Sequence, residues 1–230
     1  MMAGALRILV GAILTVLPLS AHAQEALYGK QAPRGSAFIR FANATAQAVT
    51  VSTAFTAETH LGTELGDRVA PYTAVERASE RSLTILAKVG AQETRLTYKL
   101  TPDSYATIVL EPGADGAVTI VPIVDQADFN QTRARLAFYN AAPGCPAAAL
   151  VLQPSGPAVF QDVPTGATRS RAINPVQASV RVDCGATPGP SAALAGLEVG
   201  NSYSLWFIQP GDMAALFATP DVSARYNPSN

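Results

Sequence analysis

Side chains that do chemistry are scarce in this chain. Only two histidines occur, and His22 falls in an apolar N-terminal stretch, which leaves His60 for the rest. A single imidazole, with no G-x-S-x-G elbow and no Gly-Asp-Ser block, gives little support to a hydrolytic triad. Two cysteines and scattered carboxylates do not make a zinc shell, so no metal site is expected. No G-x-G-x-x-G or phosphate-loop spacing is present, and no cofactor is expected. Charged residues make up 14% of the sequence and the formal net charge is −1, which provides no basic surface for nucleic acid. No catalytic residue is assigned.

Long apolar runs are also missing, except at the start. MMAGALRILVGAILTVLPLSAHA has one basic residue, Arg7, an apolar run from Ile8 to Leu17, a breaker at Pro18 and small residues at Ala21 and Ala23. That order reads as a secretory signal peptide over residues 1–23. The apolar core is well short of the roughly 20 residues a membrane-spanning helix needs. No transmembrane segment is expected in the mature chain, and its expected location is the periplasm.

What is abundant is short strands and turns. Seventeen Gly and seventeen Pro punctuate runs rich in Val, Thr and Ala, a pattern of strands joined by tight turns. Phe41, Asn43 and Ala44 return as Phe138, Asn140 and Ala141, an offset of 97. Val89-Gly90-Ala91 returns as Cys184-Gly185-Ala186 at 95, and Ser104-Tyr105 as Ser202-Tyr203 at 98. Three landmarks keep their order, so the sequence is duplicated. Within each copy, residues alternate with period 2, as in Phe38, Arg40 and Ala42 against Ile39, Phe41 and Asn43. Asp115-Gly116 marks a hairpin. The expected fold is all-β, two tandem small antiparallel β-sandwich domains related by internal duplication. The expected boundaries are 24–124 and 131–230, with a linker at 125–130.

Few features carry a functional hint. Cys145 and Cys184 form the one cysteine pair in an exported chain and should make a disulfide. Closing a loop of about 40 residues would stabilise that half by roughly 4 kcal/mol. Lys30, Arg34 and Arg40 make one basic cluster; Arg169 and Arg171, with Arg133 and Arg135 earlier, make another. Guanidinium forks suit carboxylates on an acidic partner or a carboxylated sugar, while charged residues also protect strand edges. Tyr28, Tyr72 and Tyr226 lie in turn-forming segments and are candidates for stacking on sugar rings. Trp206, within SLWFI, reads as core. Asp103, Asp115 and Asp221 read as turn formers.

Residues 26–45, ALYGKQAPRGSAFIRFANAT, resemble the start of mature proteins of the AlgF family of alginate biosynthesis proteins. RAINPVQASV, at 171–180, is similar to that family's Arg-x-Ile-Asn-Pro-Val segment. The resemblance implies an accessory role rather than a catalytic one, beside a membrane O-acyltransferase and periplasmic acetyltransferases. Tyr28, Lys30, Arg34, Arg40, Arg169 and Arg171 are then the candidate contacts to those partners or to an anionic polysaccharide. Two alternatives stand beside the adaptor: a polysaccharide-binding module, and an acetyl-transferring enzyme using His60 and a serine.

Overall fold

The Phe-x-Asn-Ala motif closes the first strand of each half, and the later strands follow in the same order twice. A computed structural model of the chain describes residues 31–126 and 132–228. The expected signal peptide, Tyr28, Lys30 and most of the expected linker lie outside the described residues. The first half carries β1 (Ala37–Asn43), β2 (Val49–Thr53), β3 (Thr59–Leu61), β4 (Thr73–Val75), β5 (Ser82–Val89), β6 (Gln92–Lys99), β7 (Tyr105–Pro112) and β8 (Val118–Asp125). The second carries β9 (Ala134–Ala141), β10 (Ala147–Leu152), β11 (Ala158–Pro164), β12 (Ala167–Ile173), β13 (Ala178–Cys184), β14 (Thr187–Leu194), β15 (Ser202–Ile208) and β16 (Ala215–Pro220).

Four sheets of four strands result, ordered β4-β1-β7-β8, β3-β2-β5-β6, β12-β9-β15-β16 and β11-β10-β13-β14. Adding eight to every strand number of the first half reproduces the second, so the duplication extends to topology. The repeated glycines close equivalent hairpins: Gly90, φ +57°, joins β5 to β6, and Gly185, φ +60°, joins β13 to β14. A left-handed turn position of this kind favours glycine. One departure from an all-antiparallel sandwich occurs in each half, where β1 pairs with β7, and β9 with β15, in parallel.

The repeated asparagine has a structural task. Asn43 Nδ2 donates to the carbonyls of Gln47 and Gly62, both at 2.8 Å. Asn140 Nδ2 donates to those of Cys145 and Val163, at 2.9 and 3.0 Å. Each is a fully enclosed amide that ties the loop after its own strand to a carbonyl at or just past the end of a second strand, β3 or β11, which is why the motif recurs. Cys145 and Cys184 form the expected disulfide, with their Cα atoms 5.6 Å apart.

Each half has its own apolar core. Ile39, Phe41, Leu83, Ile85 and Ile108 lie in the first, and Leu136, Phe138, Leu150, Val182 and Leu205 in the second. A third cluster joins residues of both halves: Ala42 and Val109 meet Ala137, Tyr139, Ala141 and Trp206. Its centre is a stack of Tyr139 on Trp206, with ring centroids 4.2 Å apart. Trp206 is buried as expected, but between the sandwiches rather than inside one. The central strands are therefore covered on both faces, and all eight residues of β9 are buried. Parallel pairs favour that double burial. Both halves belong to one compact unit, Ala32–Asn230.

Candidate functional site

Among the apolar residues between the two halves lies a cluster of ionisable groups. Alternation on β1 sends Ile39 and Phe41 into the first core and turns Arg40 toward the second half, where it is 1% exposed. Its Nε donates to Thr107 Oγ1 at 2.9 Å and its Nη1 to Asp221 Oδ1 at 2.6 Å. Nη2 donates to Tyr139 Oη at 3.0 Å and to Ser204 Oγ at 2.8 Å. The guanidinium also lies over the Tyr72 ring, 4.3 Å from its centroid, a cation–π contact.

The duplication explains half of this arrangement. Thr107 stands opposite Arg40 in the β1–β7 register, and Ser204 stands opposite Ala137 in the β9–β15 register. Each hydroxyl donates to the carboxylate that follows or ends the last strand of its half, Thr107 to Asp125 at 2.8 Å and Ser204 to Asp221 at 2.6 Å. Two hydroxyl–carboxylate pairs thus arise by repetition. The two cations arise by divergence: Arg40 where the second half has Ala137, and Arg135 where the first has Phe38. Arg135 Nη1 is 3.8 Å from Asp221 Oδ2. Two buried acids and two buried bases balance, as burial of charge requires.

Two phenols complete the network. Tyr139 Oη donates to Asp125 Oδ1 at 2.5 Å and Tyr72 Oη to Asp125 Oδ2 at 2.8 Å. Burial, only partly opposed by the Arg40 charge, pushes the Tyr139 phenol up to about 12 and raises that of Tyr72 as well. Burial alone would lower the Arg40 pKa, but the surrounding Tyr139, Asp221, Tyr72 and Asp125 oxygens more than offset it and hold it above the ordinary value. A cleft of about 190 Å³ opens at the edge of this network, lined by Tyr72, Tyr105, Asp125, Arg135, Asn201 and Asp221 among others. The C-terminal segment crosses beside it. Tyr72 N donates to the Val222 carbonyl at 2.9 Å, Ala224 N donates to the Tyr72 carbonyl at 2.8 Å, and Tyr226 Oη bonds to Glu76. Among the described residues no group of three or more His, Cys, Asp or Glu side chains could hold a metal ion.

The sequence reading needs correction at several of these positions. Arg40 is not a surface contact, because β1 is covered on both sides and its guanidinium is enclosed by partners. Tyr72 is 6% exposed and is bonded to Asp125, so its ring offers no open face to a sugar. Arg135 is buried too. Asp221 binds Arg40 across the interface rather than merely shaping a turn. Asp103 does sit in a turn, at φ +54°, and its carboxylate also accepts from the distant Gly35 N at 2.8 Å. Arg34, Arg133, Arg169 and Arg171 are exposed. The missed network had one legible signal, a cation placed between apolar residues on a strand.

His60 lies on β3, exposed. Its Nδ1 is 3.1 Å from Thr50 Oγ1 and its Nε2 is 3.4 Å from Glu58 Oε1. Hydroxyl, imidazole and carboxylate follow one another as in a triad. They lie on an open sheet face, however, where bulk water competes for each hydrogen bond.

A second recess lies at the open edge of the second sandwich. β11 and β12 are the terminal strands of their sheets, and the groove between them, about 630 Å³, is lined by Val159, Phe160, Gln161, Arg169, Ser170 and Arg171 among others. Arg171 Nη1 donates to the Val159 carbonyl at 3.2 Å.

Against known proteins, a family model described as "Alginate O-acetyl transferase AlgF" matches residues 12–188. The chain belongs to the AlgF family. A curated relative, "Alginate biosynthesis protein AlgF" from Pseudomonas aeruginosa, is 39% identical over 110 residues. That match covers 47% of this chain and 46% of the relative, so the chain matches a little under half of the relative's length. The AlgF model extends over the first half, the inter-half network as far as Tyr139, and β12 with its arginines. No helix among the described residues is long and apolar enough to cross a membrane.

Proposed function

We propose that this AlgF-family chain is a noncatalytic periplasmic adaptor. It supports O-acetylation of an exported polysaccharide, alginate in the first instance, by binding periplasmic acetyltransferases and a membrane O-acyltransferase. The observation that carries this reading is where the ionisable groups are used. Arg40, Arg135, Asp125 and Asp221 are tied to one another between the two halves, with Tyr72 and Tyr139 bonded to the same carboxylates. Groups engaged in this way fix two domains, 24–124 and 131–230, as one frame. A rigid frame with several strand edges suits a part that holds others in register. The family's description and the relative's name place the family in alginate biosynthesis, and the disulfide fits the oxidising compartment that an N-terminal signal peptide implies.

An enzyme would need more than the Thr50–His60–Glu58 alignment provides. His60 is 73% and Glu58 56% exposed at the side chain. The β2 and β3 backbone around them is paired in a ladder rather than turned outward as an oxyanion hole. Two assays on purified full-length chain separate the readings. The adaptor retains an acetyltransferase of the alginate pathway and hydrolyses no chromogenic acetyl ester. Ester hydrolysis abolished by His60→Ala would replace the adaptor with a catalyst.

A further inference from the structure

The β11–β12 groove is built for an occupant of a particular kind. In the β12–β9 register Arg169 stands opposite Phe138 and Arg171 opposite Leu136, and both partners belong to the second core. The two arginines therefore point from β12 toward the inside of the sandwich, at the lip where the sheets part. The groove lining holds two guanidinium groups and no carboxylate. Neither arginine forms an ion pair among the described residues, and Arg171 is held only by a backbone carbonyl. Like the cation in the Arg40 network these are arginines on a strand, but here no carboxylate among the described residues pairs with them.

Beside them run two strand edges. Among the described strands β12 pairs only with β9 and β11 only with β10, so the outer backbone N–H and C=O groups of both strands have no ladder partner there. Such an edge is a template for a further strand. Alternate residues on a strand lie about 6.7 Å apart, so Arg169 and Arg171 offer two positive charges at the spacing of residues i and i+2 of an added strand. Inward-pointing charges on an edge discourage pairing with neutral or apolar strands. They favour a strand carrying the opposite charge at the facing positions, so one device both repels the wrong partners and selects the right one.

We infer that the β12 edge is a docking site for an extended segment of a partner protein with acidic residues at alternate positions, which adds to the sheet beside β12 and pairs with Arg169 and Arg171. This rests on the adaptor reading above and names the chemistry of one partner contact. A polypeptide is favoured over an anionic polysaccharide because only a polypeptide has the backbone groups that complement a strand edge.

The test uses full-length, isotope-labelled chain and a blocked heptapeptide of Thr and Val with Glu at alternate positions. Its controls are the same peptide with Lys for Glu, and an oligouronate of equal charge. Titration with the Glu peptide should shift the backbone amides of β12, and Arg169→Glu with Arg171→Glu should weaken binding by about tenfold or more while reversing the preference toward the Lys peptide. Both side chains are exposed, so the variant should melt like the parent; if it does not, Arg169→Gln with Arg171→Gln should weaken binding of the Glu peptide and abolish the preference between the two peptides. Shifts confined to other strands, equal response to both peptides, or stronger response of the same amides to the oligouronate would overturn the inference. Its failure is distinct from that of the adaptor. If the reversal variant still retains pathway acetyltransferases as the parent does, the adaptor stands and this docking site falls. If the parent retains none, the adaptor falls.

Discussion

Replacing Arg40 by Met keeps the length and bulk of the side chain and removes its charge. Four hydrogen bonds go, at 2.6–3.0 Å, but their losses are unequal. Thr107 and Tyr139 retain Asp125, and Ser204 retains Asp221. Asp221 bears the damage, because its remaining cation, Arg135, is 3.8 Å away and on the other oxygen. Removing one partner of a buried ion pair destabilises by about 3–5 kcal/mol. For a chain of this size 1 kcal/mol moves the melting temperature by roughly 2–4 °C, so Arg40→Met should lower it by about 6–20 °C. Asp221→Asn in the Arg40→Met background removes the stranded charge and should recover part of the loss, giving a coupling of about 2 kcal/mol in a double-mutant cycle. Urea and thermal unfolding of the four proteins, with the disulfide intact, measure this directly. A loss below about 1 kcal/mol for Arg40→Met, or simple additivity of the two changes, would refute the network as the tie between the halves.

Other outcomes follow from the same interior. Glu111 is 6% exposed on β7, its Oε1 has no hydrogen-bond partner, and burial raises its pKa above the ordinary 4.5. The folded chain then holds this proton more tightly than the unfolded chain, so stability from Glu111 is full below about pH 4.5 and is lost as pH rises through the raised value. Glu111→Gln should match the parent near pH 4 and exceed it at neutral pH by about 1–3 kcal/mol, and a parent as stable as the variant at pH 7 would refute this. Paired Cys145→Ser and Cys184→Ser substitutions should destabilise the chain by roughly 4 kcal/mol, read as an earlier denaturant midpoint. An unchanged midpoint would contradict the closed-loop estimate. Asn140→Ala, which removes one donor from each of the Cys145 and Val163 carbonyls while Thr165 Oγ1 still donates to the former, should cost about 1–3 kcal/mol, checked by the same denaturant titration.

Local signals made much of the fold legible. Three landmarks at near-constant offset marked the duplication, and the strands that carry them occupy equivalent places in equivalent sheets. Asp115-Gly116 was readable as the turn of a hairpin, which joins β7 to β8, and the two cysteines as a pair. What could not be read was the second face of β1, β7, β9 and β15. Period-2 alternation tells which residues share a face but not whether another sheet covers it. Arg40 looked like a solvated residue because its ion partner, Asp221, is 181 positions away and itself sits beside a proline that suggests a turn. Tyr72 was mistaken for a surface ring for the same reason: its cover comes from Asp125 and from the C-terminal segment. Arg169 and Arg171, by contrast, were placed correctly as exposed, since edge strands keep one side open whatever else the fold does.

The adaptor reading is tested most directly in a strain lacking this chain and supplied with a His60→Ala, Thr50→Ala version, by measuring the acetyl content of its exported polymer by NMR. The account predicts parental acetylation, because the exposed hydroxyl and imidazole do no chemistry. Unacetylated polymer from a variant that folds and is exported normally would contradict it.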